Sequence, residues 1–292
     1  MTKHIAVMVQ EAIEGLQPQP GGRYLDGTLG GGTHTRALLQ ACAPDGKVLS
    51  LDVDRSALAR TRELLAPYGA RWMCAEENFR HLDRAAEANG LAPLDGILLD
   101  LGLSSDELDD PTKGLSFRID GPLDMRLGPH ANDDGLTAAD IVNTWTVQDI
   151  ERVLSVFGEE PFARRIAHGI VDARKSARII GTLDLVSVIT RSVPHIPSHI
   201  HPATKAFQAL RIAVNDELET LKIAIEAASR VLKPGGRLAI ITFHSLEDRI
   251  VKRAFAAEPW NAITKKPLAP SEQEVMENPR SRSAKLRVAE RM

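Results

Sequence analysis

Short apolar runs recur through the first hundred residues, and segments with helical spacing separate them. Tyr24–Asp26 end one run, Val48–Leu51 closes on Asp52, Arg71–Ala75 forms a third, and Asp95–Leu101 (DGILLDL) is continuous and carries Asp100. Unbroken apolar runs, rather than alternating ones, are what strands covered on both faces of a parallel sheet require. Between them, helices are expected over 5–16, near 34–42, over Ser56–Ala66 with Asp54 or Ser56 as cap, and over Leu82–Ala88. Strand and helix alternating at this rhythm predict an α/β fold with a doubly wound parallel sheet.

After Ser105 the rhythm breaks. Turn signals at Asp109–Pro111, Gly121–Pro122 and Gly128–Pro129 give way to helical patterns over Thr137–Asn143, Val147–Phe157, Pro161–Lys175 and Thr182–Val193, with no convincing strand as far as Pro202. The pattern predicts a helical insertion after the fourth strand, dividing the chain into 1–105, 106–205 and 206–292. Ala203–Leu232 reads as one long helical region closed by Lys233-Pro234-Gly235-Gly236 as cap and turn. A fifth buried strand follows at Arg237–Phe243 (RLAIITF), then a helix over Leu246–Ala257 and a strand-like alternation at Lys285–Arg291.

Candidate chemistry concentrates between Tyr24 and Asp54. Gly27, Gly30, Gly31 and Gly32 follow the first strand, and Asp52 ends the second strand about 20 residues later, a spacing suited to gripping a ribose diol. Thr35 stands where a dinucleotide fingerprint starting at Gly30 needs its last glycine, and Thr33-His34-Thr35 replaces the Gly-Lys-Ser/Thr of a phosphate loop. An acid at the end of each strand around a glycine cluster suits S-adenosylmethionine, which brings a ribose and no phosphate. Ligands of such sheets sit beyond the carboxyl ends of the strands, so Asp26, Asp52, Asp100 and Phe243–Ser245 are expected to converge. Asp100 to Ser105 occupies the place where amino-group methyltransferases carry an Asp/Asn-Pro-Pro-aromatic turn, without its Pro-Pro-aromatic part. Asp100 and Ser104 are the candidate catalytic residues there, against the plainer reading that Asp100 caps a loop and the serines only turn the chain.

Composition narrows the partners. The 292 residues are 43% hydrophobic and 26% charged, and no apolar run is long enough to span a bilayer. No signal peptide is evident and only Cys42 and Cys74 are present, so a cytoplasmic location with reduced thiols is expected, and no membrane partner. Net charge is −3, yet basic residues crowd Phe162–Arg178 (Arg164, Arg165, Arg174, Lys175, Arg178) and Arg280–Arg291 (Arg280, Arg282, Lys285, Arg287, Arg291). Such segregation offers a track for a phosphate backbone, although most charge runs are solvated helix faces. His199, His201 and His244 match no zinc spacing, and no metal is expected.

Several blocks go further. DGTLGGGTHT, DGILLDLGLSS, LSFRIDGPLDMRL, HPATKAFQALRIAVNDELE, ITFHSLEDRIVKRAF and NPRSRSAKLRVAER together resemble the ribosomal RNA small subunit methyltransferase H family, from His4 to the C-terminus. The resemblance implies a Rossmann-like class I S-adenosylmethionine-dependent methyltransferase sheet. It implies methylation of N4 of a decoding-centre cytidine (position 1402 in the usual rRNA numbering) of 16S rRNA in the small ribosomal subunit, with the insertion recognising the substrate. It places cofactor contacts at Gly30, Gly32, Thr33, His34, Asp52, Phe79 and Asp100, and at Glu107, where the family usually has Gln. Thr33 also replaces a common Gly, and Leu115 a usual Phe.

Methylation at carbon-5 of cytosine would need a cysteine nucleophile. Neither Cys42, in the first predicted helix after the glycines, nor Cys74, in the third strand, sits in a Pro-Cys turn, so nitrogen is the expected acceptor. With few aromatics available, Arg118, Arg126, Arg280 and Arg282 are candidates to stack on bases, and Arg164 and Arg165 to meet phosphates. A methyltransferase for a protein or small molecule would not need the basic stretches, and a ribosome assembly factor would not need turnover.

Overall fold

The fold is given by a computed structural model that describes residues 6–128, 132, 135–195 and 201–292. Its strands are β1 (Arg23–Asp26), β2 (Lys47–Asp52), β3 (Trp72–Glu76), β4 (Leu94–Asp100), β5 (Leu232–Thr242), β6 (Trp260–Ala262) and β7 (Lys285–Arg291), ordered β3-β2-β1-β4-β5-β7-β6 in one sheet. β1 to β5 are parallel, while β7 runs antiparallel to both β5 and β6. The sheet is therefore mixed, not wholly parallel as its first half predicts. Antiparallel neighbours need no long helical crossover, and a short helix, Glu272–Glu277, and a turn, Pro279–Ser283, lie between β6 and β7.

The described residues up to Ser104 together with Leu218–Met292 form one compact unit, and those between Ser105 and Glu217 form a second. In the first, alternate residues of each strand point to opposite faces, and both faces are buried. Leu25, Leu49, Ile97, Leu99 and Ile240 pack with α4 (Leu82–Ala88) and α11 (Glu217–Val231). Tyr24, Val48, Leu98, Ala239 and Ile241 pack with α1 (Val9–Leu16), α2 (Thr33–Ala41) and α3 (Arg55–Leu65). This two-sided burial is why the strands are apolar without alternation. α12 (Ser245–Ala254) and the short α13 (Glu272–Glu277) complete the unit.

The second unit is helical: α5 (Ser105–Asp109), α6 (Ala138–Thr144), α7 (Val147–Gly158), α8 (Ala163–Ala173), α9 (Thr182–Ser192) and α10 (Ala203–Asn215). Thr137 and Thr146 cap α6 and α7 by accepting the amides of Asp140 and Asp149. Ile141, Ile150, Leu154, Ile166, Ile170, Leu185, Phe207 and Leu210 fill its core.

Three expectations are corrected here. The stretch Ala203–Leu232 is not one helix, because Asp216 adopts a left-handed conformation (φ 48°) that caps α10 and starts α11. α10 belongs with the insertion: Phe207 and Leu210 lie in its core, and the buried Asn215 amide donates to Met125 O at 2.8 Å. The return to the first unit accordingly falls after Glu217, not near 205. Lys233–Gly236 does not precede β5 but lies inside it, as an irregularity in which Leu94 pairs with Leu232 and Gly96 already with Arg237. Gly235, at φ 77°, permits that excursion.

Among the described residues, no helix is long and apolar enough to cross a membrane. His199 and Pro129, singled out in the sequence, lie outside the described residues.

Candidate functional site

Asp26, Asp52 and Asp100 stand at the carboxyl ends of β1, β2 and β4. Each is fixed by its own set of donors. Asp52 accepts the Gly30 amide at Oδ2 and the Asp54 amide at Oδ1, both at 2.8 Å. Gly30 (φ 47°) and Gly32 (φ 74°, the N-cap of α2) occupy left-handed conformations that let the loop fold back toward Asp52. Gly27 has no room for a side chain, since a Cβ there would overlap Leu99 and approach Phe79 Cβ at 3.1 Å. Phe79 opens a short turn after β3, half-buried against this point and held by the Asn78 carbonyl of its side chain accepting Arg80 N at 3.0 Å.

Asp26 is wholly buried and accepts the Thr35 hydroxyl at 2.7 Å; Thr35 is 2.7 Å from the Ser50 hydroxyl, which in turn accepts the Trp72 indole N–H at 3.2 Å. Thr28 joins the tips of β1 and β4: its amide donates to Asp26 Oδ1 and its hydroxyl accepts the Asp100 amide at 2.7 Å. These groups bind β1, β2 and β4 tightly enough that the acids at their ends hold fixed positions.

Asp100 is the electrostatic centre. Its side chain is 15% exposed; Oδ1 accepts the Gly102 amide at 3.3 Å and Oδ2 lies 3.7 Å from His34 Nδ1. Burial pushes its pKa up to about 6, opposed by His34 and the Gly102 amide and reinforced by the charges of Asp26 and Glu247. Glu247, 3% exposed, accepts the Phe243 and His244 amides at 2.8 and 3.2 Å as the third residue of α12. Buried carboxyl groups gathered at one end of the sheet make a region that favours a cation.

The full length, residues 1–292, matches the model of the MraW methylase family. The ribosomal RNA small subunit methyltransferase H of Thermomicrobium roseum is 46% identical, over 100% of this chain and 94% of its own length. That of Desulfotalea psychrophila is 48% identical, over 99% of this chain and 98% of its own. The chain belongs to the MraW methylase family. Among solved structures, TrmN from Thermus thermophilus is 14% identical with a TM-score of 0.48, over 98% of this chain and 48% of that one.

The methylase's donor is S-adenosylmethionine, and the residues present fit it. The carboxylate of Asp52 is only partly buried at the tip of β2, and its two oxygens are acceptors of the kind a vicinal diol requires. The buried acids around Asp100 suit a sulfonium and an ammonium group.

Other predicted residues are placed as follows. Ser104 is buried just beyond β4. Thr33 is the first residue of α2 and His34 is 5% exposed, its Nε2 3.0 Å from Val7 O. Glu107 belongs to the second unit, where its Oε1 lies 3.6 Å from Lys113 Nζ. Arg164 and Arg165 are exposed on α8, Arg280 and Arg282 are exposed on the turn Pro279–Ser283, and Arg118 lies over the Phe117 ring at 6.0 Å. Arg126, a candidate to stack on a base, grips Asp124 through Nε and Nη2 at 2.8 and 2.7 Å, a bidentate pair that engages one edge of its guanidinium. The second basic stretch also shrinks, because Arg287 and Lys285 hold Asp248 of α12 (2.7 and 3.3 Å) and Arg291 donates to Leu232 O.

Sequence reasoning missed Glu247, Ser50 and Val7. The x-x-Glu spacing of a capping box was present at His244-Ser245-Leu246-Glu247, but histidine is an uncommon N-cap and hid it. Val7 acts through its carbonyl, which no side-chain pattern reveals.

Proposed function

We propose that this methylase transfers a methyl group to N4 of the decoding-centre cytidine, position 1402, of 16S rRNA in the small ribosomal subunit. The observation that carries this reading is Asp100: a fixed, mostly buried carboxyl at the tip of β4, backed by His34 and flanked by a glycine-rich loop. The full-length relatives named above, which carry ribosomal RNA small subunit methyltransferase names, support the substrate.

In this reading Asp52 and the Gly30 loop hold the donor's ribose, Phe79 packs on its adenine, and Gly32, Thr33 and His34 border its methionine end. When bound, S-adenosylmethionine supplies an electrophilic methyl carbon on a sulfonium. The amine of cytosine is conjugated with its ring and is a weak nucleophile. Ionised Asp100 accepts one of its N–H bonds, orients the lone pair and takes the proton released on transfer; Ser104 supports that turn. Alignment of this kind supplies roughly 7–11 kcal/mol of such a barrier. Carbon-5 chemistry is disfavoured because burial pushes the Cys42 thiol up, against the opposing influence of Arg71, and Cys74 lies within β3.

The helical unit recognises the substrate, with Arg118, Arg164 and Arg165 facing RNA, and Arg280 and Arg282 doing so from the first unit. The target base must leave its stack to reach the methyl, at a cost of a few kcal/mol, which an assembled particle with an accessible cytidine reduces. Cells carrying Asp100→Ala are expected to lose the modification while retaining normal subunit assembly, provided the variant accumulates folded. Retention of the mark would contradict the role of Asp100, and defective assembly would favour an assembly factor.

A further inference from the structure

His34 has two ring nitrogens in contrasting surroundings. Nε2 is 3.0 Å from the carbonyl oxygen of Val7, and a carbonyl can only accept. Nε2 must therefore carry hydrogen, and in the neutral ring Nδ1 is left with a bare lone pair. That lone pair is on the atom 3.7 Å from Asp100 Oδ2. His34 is itself buried, so water does not compete freely for Nδ1.

The Val7 carbonyl is not held by chance. Met8, the next residue, sits in a left-handed conformation (φ 53°) before α1, and its amide donates to Glu274 Oε1 of α13 at 2.7 Å. A short strap of chain is thereby pinned at one residue and presents the preceding carbonyl to the histidine. Stability alone asks only for a donor to the buried Val7 carbonyl, and it does not ask for the second ring nitrogen that faces Asp100.

We infer that His34 is the positioning residue behind Asp100 and the terminal acceptor of the proton released during methyl transfer, its reactive tautomer set by the Val7 carbonyl. The inference deepens the function proposed above and rests on it. As the amine nitrogen gains its bond to carbon, the carbon–sulfur bond breaks toward sulfur and the nitrogen sheds one proton. That proton passes to the Asp100 carboxylate and on to His34 Nδ1. The imidazolium then donates to Val7 O from Nε2 and faces ionised Asp100 from Nδ1, and it releases the proton to water after the methylated product leaves. The charged groups acting on Asp100 are His34, Asp26 and Glu247; the two acids make a retained proton on the carboxyl more favourable, and His34 opposes them. A proton acceptor beyond the carboxylate returns Asp100 to its accepting form.

The first test uses the donor-free wild-type protein, so it does not depend on the substrate. Imidazole nitrogen-15 shifts at about pH 8 are expected to show His34 as the Nε2–H tautomer, and Asp100→Asn is expected to change the chemical shift of its Nδ1. An Nδ1–H tautomer, or an Nδ1 chemical shift indifferent to Asp100, would overturn the inference while leaving the substrate assignment intact. The second test is the pH profile of kcat/KM with small subunits. His34→Gln is expected to lower kcat about tenfold or more with little change in KM, and to move the acid limb to higher pH. Glu274→Ala, which releases the strap, is expected to move that limb in the same direction by less. A His34→Gln profile with the acid limb unmoved would overturn the inference even if the rate fell.

Discussion

The carboxyl of Asp100 ionises at about pH 6 in the folded chain, against an ordinary value of 3.8. Across that window the folded state binds more protons than the unfolded one. The resulting stabilisation is complete below the ordinary value and is lost as pH rises through about 6, so the ionised group costs about 3 kcal/mol at neutral pH. Asp100→Asn is therefore expected to unfold at higher urea concentration than the parent at about pH 8, by about 1–3 kcal/mol, with the gap closing toward pH 4. The same variant is expected to lose about a hundredfold or more in kcat. A variant less stable than its parent at pH 8 would contradict this reading of the site. Asp52 works differently, through hydrogen bonds to a ligand. Asp52→Ala is expected to weaken donor binding about tenfold or more by calorimetry, as loss of hydrogen bonds to a charged group implies.

Elements built from a single physical demand were legible in the sequence. β1, β2 and β4 need apolar side chains on both faces and an acid at the tip, and Leu25, Leu49 and Ile97 with Asp26, Asp52 and Asp100 meet both demands in plain view. Features that depend on partners distant in sequence were not. β6 is three residues long, and only its pairing with β7 makes it a strand. Asp216 interrupts a pattern that is helical on either side, and the break is a backbone conformation with no sequence marker as strong as glycine. Arg287 counted as one of a basic run, yet it is buried against Asp248. Burial alone would raise the Asp248 pKa, but Arg287 and Lys285 hold it below the ordinary range. Arg287→Ala leaves that carboxylate without its main partner and is expected to cost about 3 kcal/mol by chemical denaturation, whereas Arg282→Ala on the exposed turn is expected to fall within about 0.5 kcal/mol of the parent.

Charge at the level of the whole chain conceals its distribution. The net value of −3 does not favour an RNA partner, but acids are spent at strand tips, in helix caps and in pairs such as Asp124–Arg126 and Asp248–Arg287, while Arg164, Arg165, Arg280 and Arg282 remain exposed. Reversing these four to Glu is expected to abolish binding to small subunits and to flatten its dependence on salt, with donor affinity unchanged. Retained, salt-sensitive binding would send the RNA contact elsewhere. The most direct measurement is transfer of a radiolabelled methyl group to small subunits that lack the mark, followed by nucleoside analysis of their 16S rRNA. Label recovered as N4-methylcytidine from position 1402 is the expected result; label in 5-methylcytidine, in protein or at another nucleotide would contradict it.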